Sequence, residues 1–298
     1  MSNETTVNKK HKDRLFSQIF GSEENKEYAL DLYNALAGTS YTNVDDLEYN
    51  TLDDSIFLHM KNDVSFIFHS EINLWEHQST INENMPLRGL LYVSQLYNSY
   101  IETNGLDIYQ KNRATIPAPK YIVFYNGIEK YPDKSILKLS DSFAKPSDCL
   151  EMIAEVYNVN KGHNKELLQT CEMLSNYAEF IFRIRQNAKT MAIKDAIEAA
   201  IDSCIKDNIM ASFLMKHRSE VSMSVLTEYN EELHLKNVHK EGFDEGFDKG
   251  SDNRAMRSYL NSIDKGLSRE DAMEIAEITE EQAKYAEQHR DEILKDNK

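Results

Sequence analysis

Apolar positions follow three different patterns along the chain. From Asp13 to Leu36, Leu15, Phe16, Ile19 and Phe20, then Ala29, Leu30, Leu32, Tyr33 and Leu36, follow helical spacing around Gly21. They predict one helix, or two joined at that glycine. The runs "SIFLHMK" (55–61), "VSFIFH" (64–69) and "INLWEHQS" (72–79) are short and rich in β-branched and aromatic residues, as three strands of an antiparallel meander would be. "MPLRGLLYVSQLYNSYI" (85–101) returns to a helical stripe, with Pro86 near its start. "KYIVFYNG" (120–127) is an apolar run closed by Asn-Gly, the pattern of a buried strand. The predicted order is αβββαβ.

Beyond Gly127 the pattern is less regular. Tyr131 to Cys149, with Pro132 and Pro146, is expected to be loop or a short insertion, and Glu151 to Tyr229 to be nearly all helical. In "EGFDEGFDKG", Gly242, Gly246 and Gly250 recur every four residues, either in a polar linker or as a glycine face that lets helices pair closely. Ser268 ahead of Arg269, Glu270 and Asp271 predicts an N-cap with an acidic first turn. The expected organisation is a core over 13–127, a helical extension packed on it over 128–232, a glycine-rich acidic linker or helix over 233–257, and a helical hairpin over 258–298. That last segment is too poor in apolar residues to hold a core alone, so it is expected to dock or to pair with another copy.

Composition changes this picture little, and charge somewhat more. With 41% hydrophobic residues, the 298-residue chain can bury a core. No apolar run approaches the ~20 residues that span a bilayer, and the N-terminus has no apolar targeting core, so a cytoplasmic protein without membrane association is expected. Cys149, Cys171 and Cys204 lack zinc or disulfide spacing and are expected to be reduced thiols packed by helices. The net charge of −16 argues against a protein that coats nucleic acid. However, Glu220 to Lys298 alone carries 20 acids and 11 bases, which leaves the body milder, with a small basic cluster at Lys9, Lys10, Lys12 and Arg14. An enzyme touching a few phosphates remains compatible with that distribution.

The chemistry concentrates in two adjacent strands. Successive strand residues face opposite sides, so Glu76 and Gln78 share a face with Ile72 and Leu74, while Asn73, Trp75 and His77 face the other way. A hairpin turning at Ser70 and Glu71 would put Asp63 opposite Gln78, on the face of Glu76. Cross-strand and diagonal neighbours lie about 4.5–8 Å apart, so the two carboxylates could share a cation. Mg²⁺ favours one or two carboxylates, a carbonyl and retained waters, and the His77 carbonyl is the candidate third donor. The alternative is structural: Asp63 caps a strand end and Glu76 pairs with a base such as Arg88. Asp13 is either a further carboxylate of the site or a helix N-terminal acid, and Arg88 either holds a phosphate or pairs with Glu76. His59, His69 and His77 fit no metal-ligand spacing, and Walker, G-x-G-x-x-G and G-x-S-x-G motifs are missing.

The pieces "DRLFSQIFGSEENK", "KNDVSFIF", "LWEHQ" with "MPLRGLLYVSQLY", "KYIVFYNG" and the late Glu-Gly tetrads, in that order, resemble the PD-(D/E)XK nuclease superfamily. More narrowly they resemble its Rpn group of recombination-promoting nucleases and transposase-like proteins. The resemblance implies an α/β (α+β) fold whose αβββαβ core holds a mixed four-stranded sheet, followed by a helical region and a helical tail. It implies Mg²⁺- or Mn²⁺-dependent DNA cleavage in which Asp63 and Glu76, with the His77 carbonyl, hold the metal. Gln78 stands where many relatives have lysine, and Asn62 where the motif has proline. A glutamine can orient the attacking water but brings no positive charge, so activation would rest more on the metal. A catalytically inert scaffold that binds other proteins is the alternative. Partners are expected to be DNA and, through the C-terminal helices, a second copy.

Overall fold

The computed structural model describes residues 15–50 and 63–295, and for residues 231–251, 292 and 295 the backbone alone. The chain divides into two compact units, Met1–Tyr229 and Asn230–Lys298.

The first unit is built on one six-stranded mixed sheet. Its strands are β1 (Leu47–Tyr49), β2 (Val64–Phe68), β3 (Glu71–Gln78), β4 (Ala118–Tyr125), β5 (Lys134–Lys138) and β6 (Ile153–Asn158), in the order β1-β2-β3-β4-β6-β5. Helices α1 (Leu15–Phe20) and α2 (Lys26–Ala37) precede them. Helix α3 (Met85–Thr103) joins β3 to β4, while α4 (Lys165–Thr170), α5 (Glu172–Asn187), α6 (Ile193–Lys206) and α7 (Ala211–Asp264) follow. β3 and β4 run parallel, as do β4 and β6, and parallel neighbours need a crossover such as α3.

Strand alternation sorts the core onto the two faces of the sheet. On one, Ile72, Leu74, Tyr121, Val123 and Tyr125 pack with Met85, Tyr92, Val93 and Leu96 of α3. On the other, Val64, Phe66, Phe68, Trp75, Ile122 and Phe124 meet α1, α2, α5, α6 and the start of α7. β3 is covered on both sides, and from Ile72 to Gln78 every residue is buried.

Several sequence expectations need correction. The sheet has six strands rather than four. Tyr131 to Cys149 contains edge strand β5, and the stretch expected to be helical opens with β6. β6 hides Ala154, Val156 and Asn158 while Ile153, Glu155 and Tyr157 are more exposed, a period of two confined to six residues and flanked by helix-forming sequence. β1 was not expected. The expected strand 55–61, His59, Asp13 and the basic cluster at 9–14 lie outside the described residues. The hairpin turns at His69 and Ser70, pairing Val64 with Trp75 and Phe68 with Glu71, so the register differs by two from the expected one. His69 takes a left-handed φ of 52°, which suits the twist of a tight hairpin. Cys171 and Cys204 are buried, with burial pushing the Cys171 thiol up to about 11, but Cys149 is exposed in a loop.

The second unit holds the end of α7, then α8 (Arg269–Ala276), α9 (Glu280–Gln288) and α10 (Arg290–Lys295). Contrary to expectation it has an apolar cluster of its own, in which Tyr259, Leu260, Ala272, Ala283 and Ala286 are fully buried. Small alanines let short helices approach closely, which is why a count of large apolar residues underrates the segment. The glycine tetrad lies within α7, so its backbone is helical rather than an extended linker. Among the described residues no helix is long and apolar enough to cross a membrane.

Candidate functional site

Asp63 stands one residue before β2, and continuing the observed register sets it opposite Glu76. Its Oδ2 accepts the backbone N–H of His77 at 2.7 Å, so the carboxylate lies against the peptide that joins Glu76 to His77. The N–H and C=O of one strand residue point to the same edge. The His77 carbonyl therefore faces the side on which Asp63 sits.

Glu76 points toward α3 with its side chain only 2% exposed, and its Oε2 takes a hydrogen bond from Arg88 Nη2 at 3.2 Å. The same nitrogen donates to the Tyr92 hydroxyl at 3.1 Å, one turn further along α3. Gly89 makes this close seating possible, because a Cβ there would collide with the Tyr121 ring. Burial opposes the Arg88 charge, yet Glu76 and the Tyr92 hydroxyl hold its pKa above the ordinary value. Burial first, then the Glu76 carboxylate, push the Tyr92 hydroxyl up, and Asp63 adds to the effect. The Tyr121 hydroxyl is raised further by the same groups. Both carboxylates thus act on the same two phenols.

Gln78 shares the face of Glu76 by alternation, is 8% exposed, and accepts the Asn126 N–H at its own carbonyl at 2.9 Å. Among the described residues its side-chain amide has no hydrogen-bond partner. His77 faces the other way, its Nε2 2.8 Å from the Tyr177 hydroxyl of α5 and its ring stacked on Phe16. His69 is exposed in the turn.

The structure therefore brings Asp63, Glu76, the His77 backbone and Gln78 together at the carboxyl end of β3, beside Arg88. Of the two readings of Arg88, pairing with Glu76 is the arrangement present. Among the described residues no three His, Cys, Asp or Glu side chains form a metal-holding group. The donors at hand are two carboxylates and a strand-edge carbonyl, a hard oxygen set of the kind Mg²⁺ or Mn²⁺ takes while keeping several waters. Sequence reasoning missed Tyr92 and Tyr121. The i,i+4 spacing from Arg88 to Tyr92 could have indicated the first, whereas Tyr121 reaches the site only through strand pairing. Compared with known proteins, the chain matches no family model, no curated protein and no solved structure.

Proposed function

We propose that this chain is a metal-dependent DNA endonuclease, a phosphodiester hydrolase of the PD-(D/E)XK kind associated with recombination or mobile DNA. The observation that carries the reading is the convergence of Asp63 and Glu76 on one peptide of the central strand, at the carboxyl end of the parallel pair where open α/β sheets take ligands. The succession of α1 and α2, β2, β3, α3 and β4 supports the same superfamily. Asp63, Glu76 and the His77 carbonyl would hold Mg²⁺ or Mn²⁺, which when bound lowers the pKa of a coordinated water and stabilises charge on the phosphate. Gln78 would orient the attacking water through its amide. Arg88 fixes the Glu76 rotamer, and Tyr92 fixes Arg88 in turn.

Plasmid DNA incubated with Mg²⁺ or Mn²⁺ tests the proposal. Cleavage is expected to require the metal, to stop with chelator, and to fall by about 10²-fold or more in Glu76→Gln, the scale of removing one transition-state-stabilising group. The substitution is close to isosteric and keeps an oxygen for Arg88, so the fold should persist. Equal cleavage by wild type and variant would sink the reading. A second reading, an inert nuclease-like scaffold that binds proteins, draws on one observation: the buried Glu76 carboxylate is already paired through Oε2 with Arg88, as a structural ion pair would be. It predicts no metal-dependent cleavage from either protein.

A further inference from the structure

At the carboxyl end of β4 and β6 a guanidinium is held entirely by neutral groups. Arg185, in the last turn of α5 and half-buried, donates through Nη1 to Asn126 Oδ1 at 3.0 Å and to Asn160 Oδ1 at 2.7 Å, and through Nη2 to the Asn126 carbonyl. Asn160 is itself fixed by Nδ2 bonds to the Gly127 carbonyl at 3.0 Å and to Asn158 Oδ1 at 2.9 Å. The helix dipole favours a cation in this turn, but it does not account for the missing anion. Glu179, the closest acid along the chain, is engaged with Lys161 and Arg183. Among the described residues no carboxylate pairs with Arg185.

An arginine has five N–H donors. Two on Nη1 and one on Nη2 are used, which leaves Nε–H and the second Nη2–H, the side-on fork that matches two oxygens of a phosphate or carboxylate. Asn126, 2% exposed, adds a buried Nδ2 with no hydrogen-bond partner among the described residues. The cluster thus offers one positive charge and spare donors. Its complement is an oxyanion.

We infer that Arg185, held in place by Asn126 and Asn160, is a phosphate-binding residue. That the phosphate belongs to a DNA backbone rests on the nuclease reading. The Asn126 N–H donates to the Gln78 carbonyl, so a single residue separates the guanidinium from the candidate catalytic strand end. A backbone phosphate gripped there lies along the carboxyl edge of the sheet from the acid pair, where it sets the duplex in register.

Asn126→Asp is the informative variant. It is isosteric, keeps the oxygen that Arg185 uses, gives up no hydrogen bond of Nδ2 to a described residue, and supplies the guanidinium with a carboxylate. Two readouts are needed, with melting temperature confirming that the variant is folded. In the first, inorganic phosphate is titrated at constant ionic strength while the Nε–Hε NMR resonance of Arg185 is followed. A saturable shift is expected in wild type and none in Asn126→Asp; no shift in wild type, or equal shifts in both, overturns the inference. In the second, a short duplex is bound with chelator present, so that no cleavage intervenes. Asn126→Asp and Arg185→Gln should each weaken binding about tenfold and reduce the salt slope by about one, the signature of a single phosphate contact. Unchanged duplex binding in both variants would make Arg185 a purely structural pin. Phosphate binding that depends on Asn126 without any duplex binding by wild type would uphold the anion site and remove the nuclease reading instead.

Discussion

Gly127 follows Asn126 just past the end of β4, and a Cβ there would run into the Ser79 carbonyl oxygen and the Tyr125 ring. The carbonyl is backbone and cannot swing away. Gly127→Ala is therefore expected to cost about 1–3 kcal/mol, the range for overpacking a close contact, measured by urea unfolding. Under the nuclease reading it should also slow cleavage, because Ser79 directly follows Gln78. The Asn-Gly pair announces a strand end in the sequence, but the collision partner does not, since Ser79 is brought there by β3–β4 pairing. Asp63 and Glu76 were legible for the opposite reason. Side-chain period in a strand is two, so a register wrong by two residues still leaves both acids on one face. The grip of Asn126 on Arg185 spans 59 residues and left no local trace.

Individual elements were legible where their period ran long. β2, β3, α3 and β4 lie within about two residues of the expected bounds, because alternation or a helical stripe persisted across each. β5 and β6 were lost for want of contrast. β5 is an edge strand with Ile136 exposed and lysines at both ends, so it has no buried face to pattern. In the C-terminal unit the caps carry the prediction. Thr279 accepts the Gln282 N–H while Gln282 returns a side-chain bond to the Thr279 backbone, a complete capping box. Thr279→Ala should cost that unit about 1 kcal/mol. Arg269 of α8 binds both Glu280 and Glu287 of α9. Arg269 holds the Glu280 carboxyl below its ordinary 4.5, and the Tyr259 hydroxyl together with Arg269 does the same for Glu287. Depressed carboxylate pKa values contribute stability that is fully present above the unfolded value and is lost as pH falls through the folded one. Amide-exchange protection of α8 and α9 should thus decline on acidification below about pH 4.5. The effect should shrink in high salt, because these groups are exposed, and it should be much weaker in Arg269→Gln.

At the scale of the whole molecule, the candidate site and its supports belong to the first unit alone. Its core closes with Val221 and Val225 of α7, and Glu228 still accepts the Leu15 N–H at 2.7 Å, so among the described residues these contacts that seat α1 beneath His77 and Phe124 lie before Tyr229. A chain ending at Tyr229 is therefore expected to fold and, under the nuclease reading, to keep metal-dependent cleavage. Removing residues 230–298, with 18 acids and 11 bases, also removes a net −7 that repels phosphate. Duplex affinity at low salt should stay level or rise, and the gain should fade as salt screens it. The second unit has a core of its own, and the proposal that it pairs with another copy is directly testable. Sedimentation of the full and shortened chains separates the outcomes. A full-length dimer that becomes a monomer on truncation supports pairing through the C-terminal helices, whereas two monomers exclude it. Lost cleavage with the fold intact would mean that two clefts must act on one duplex.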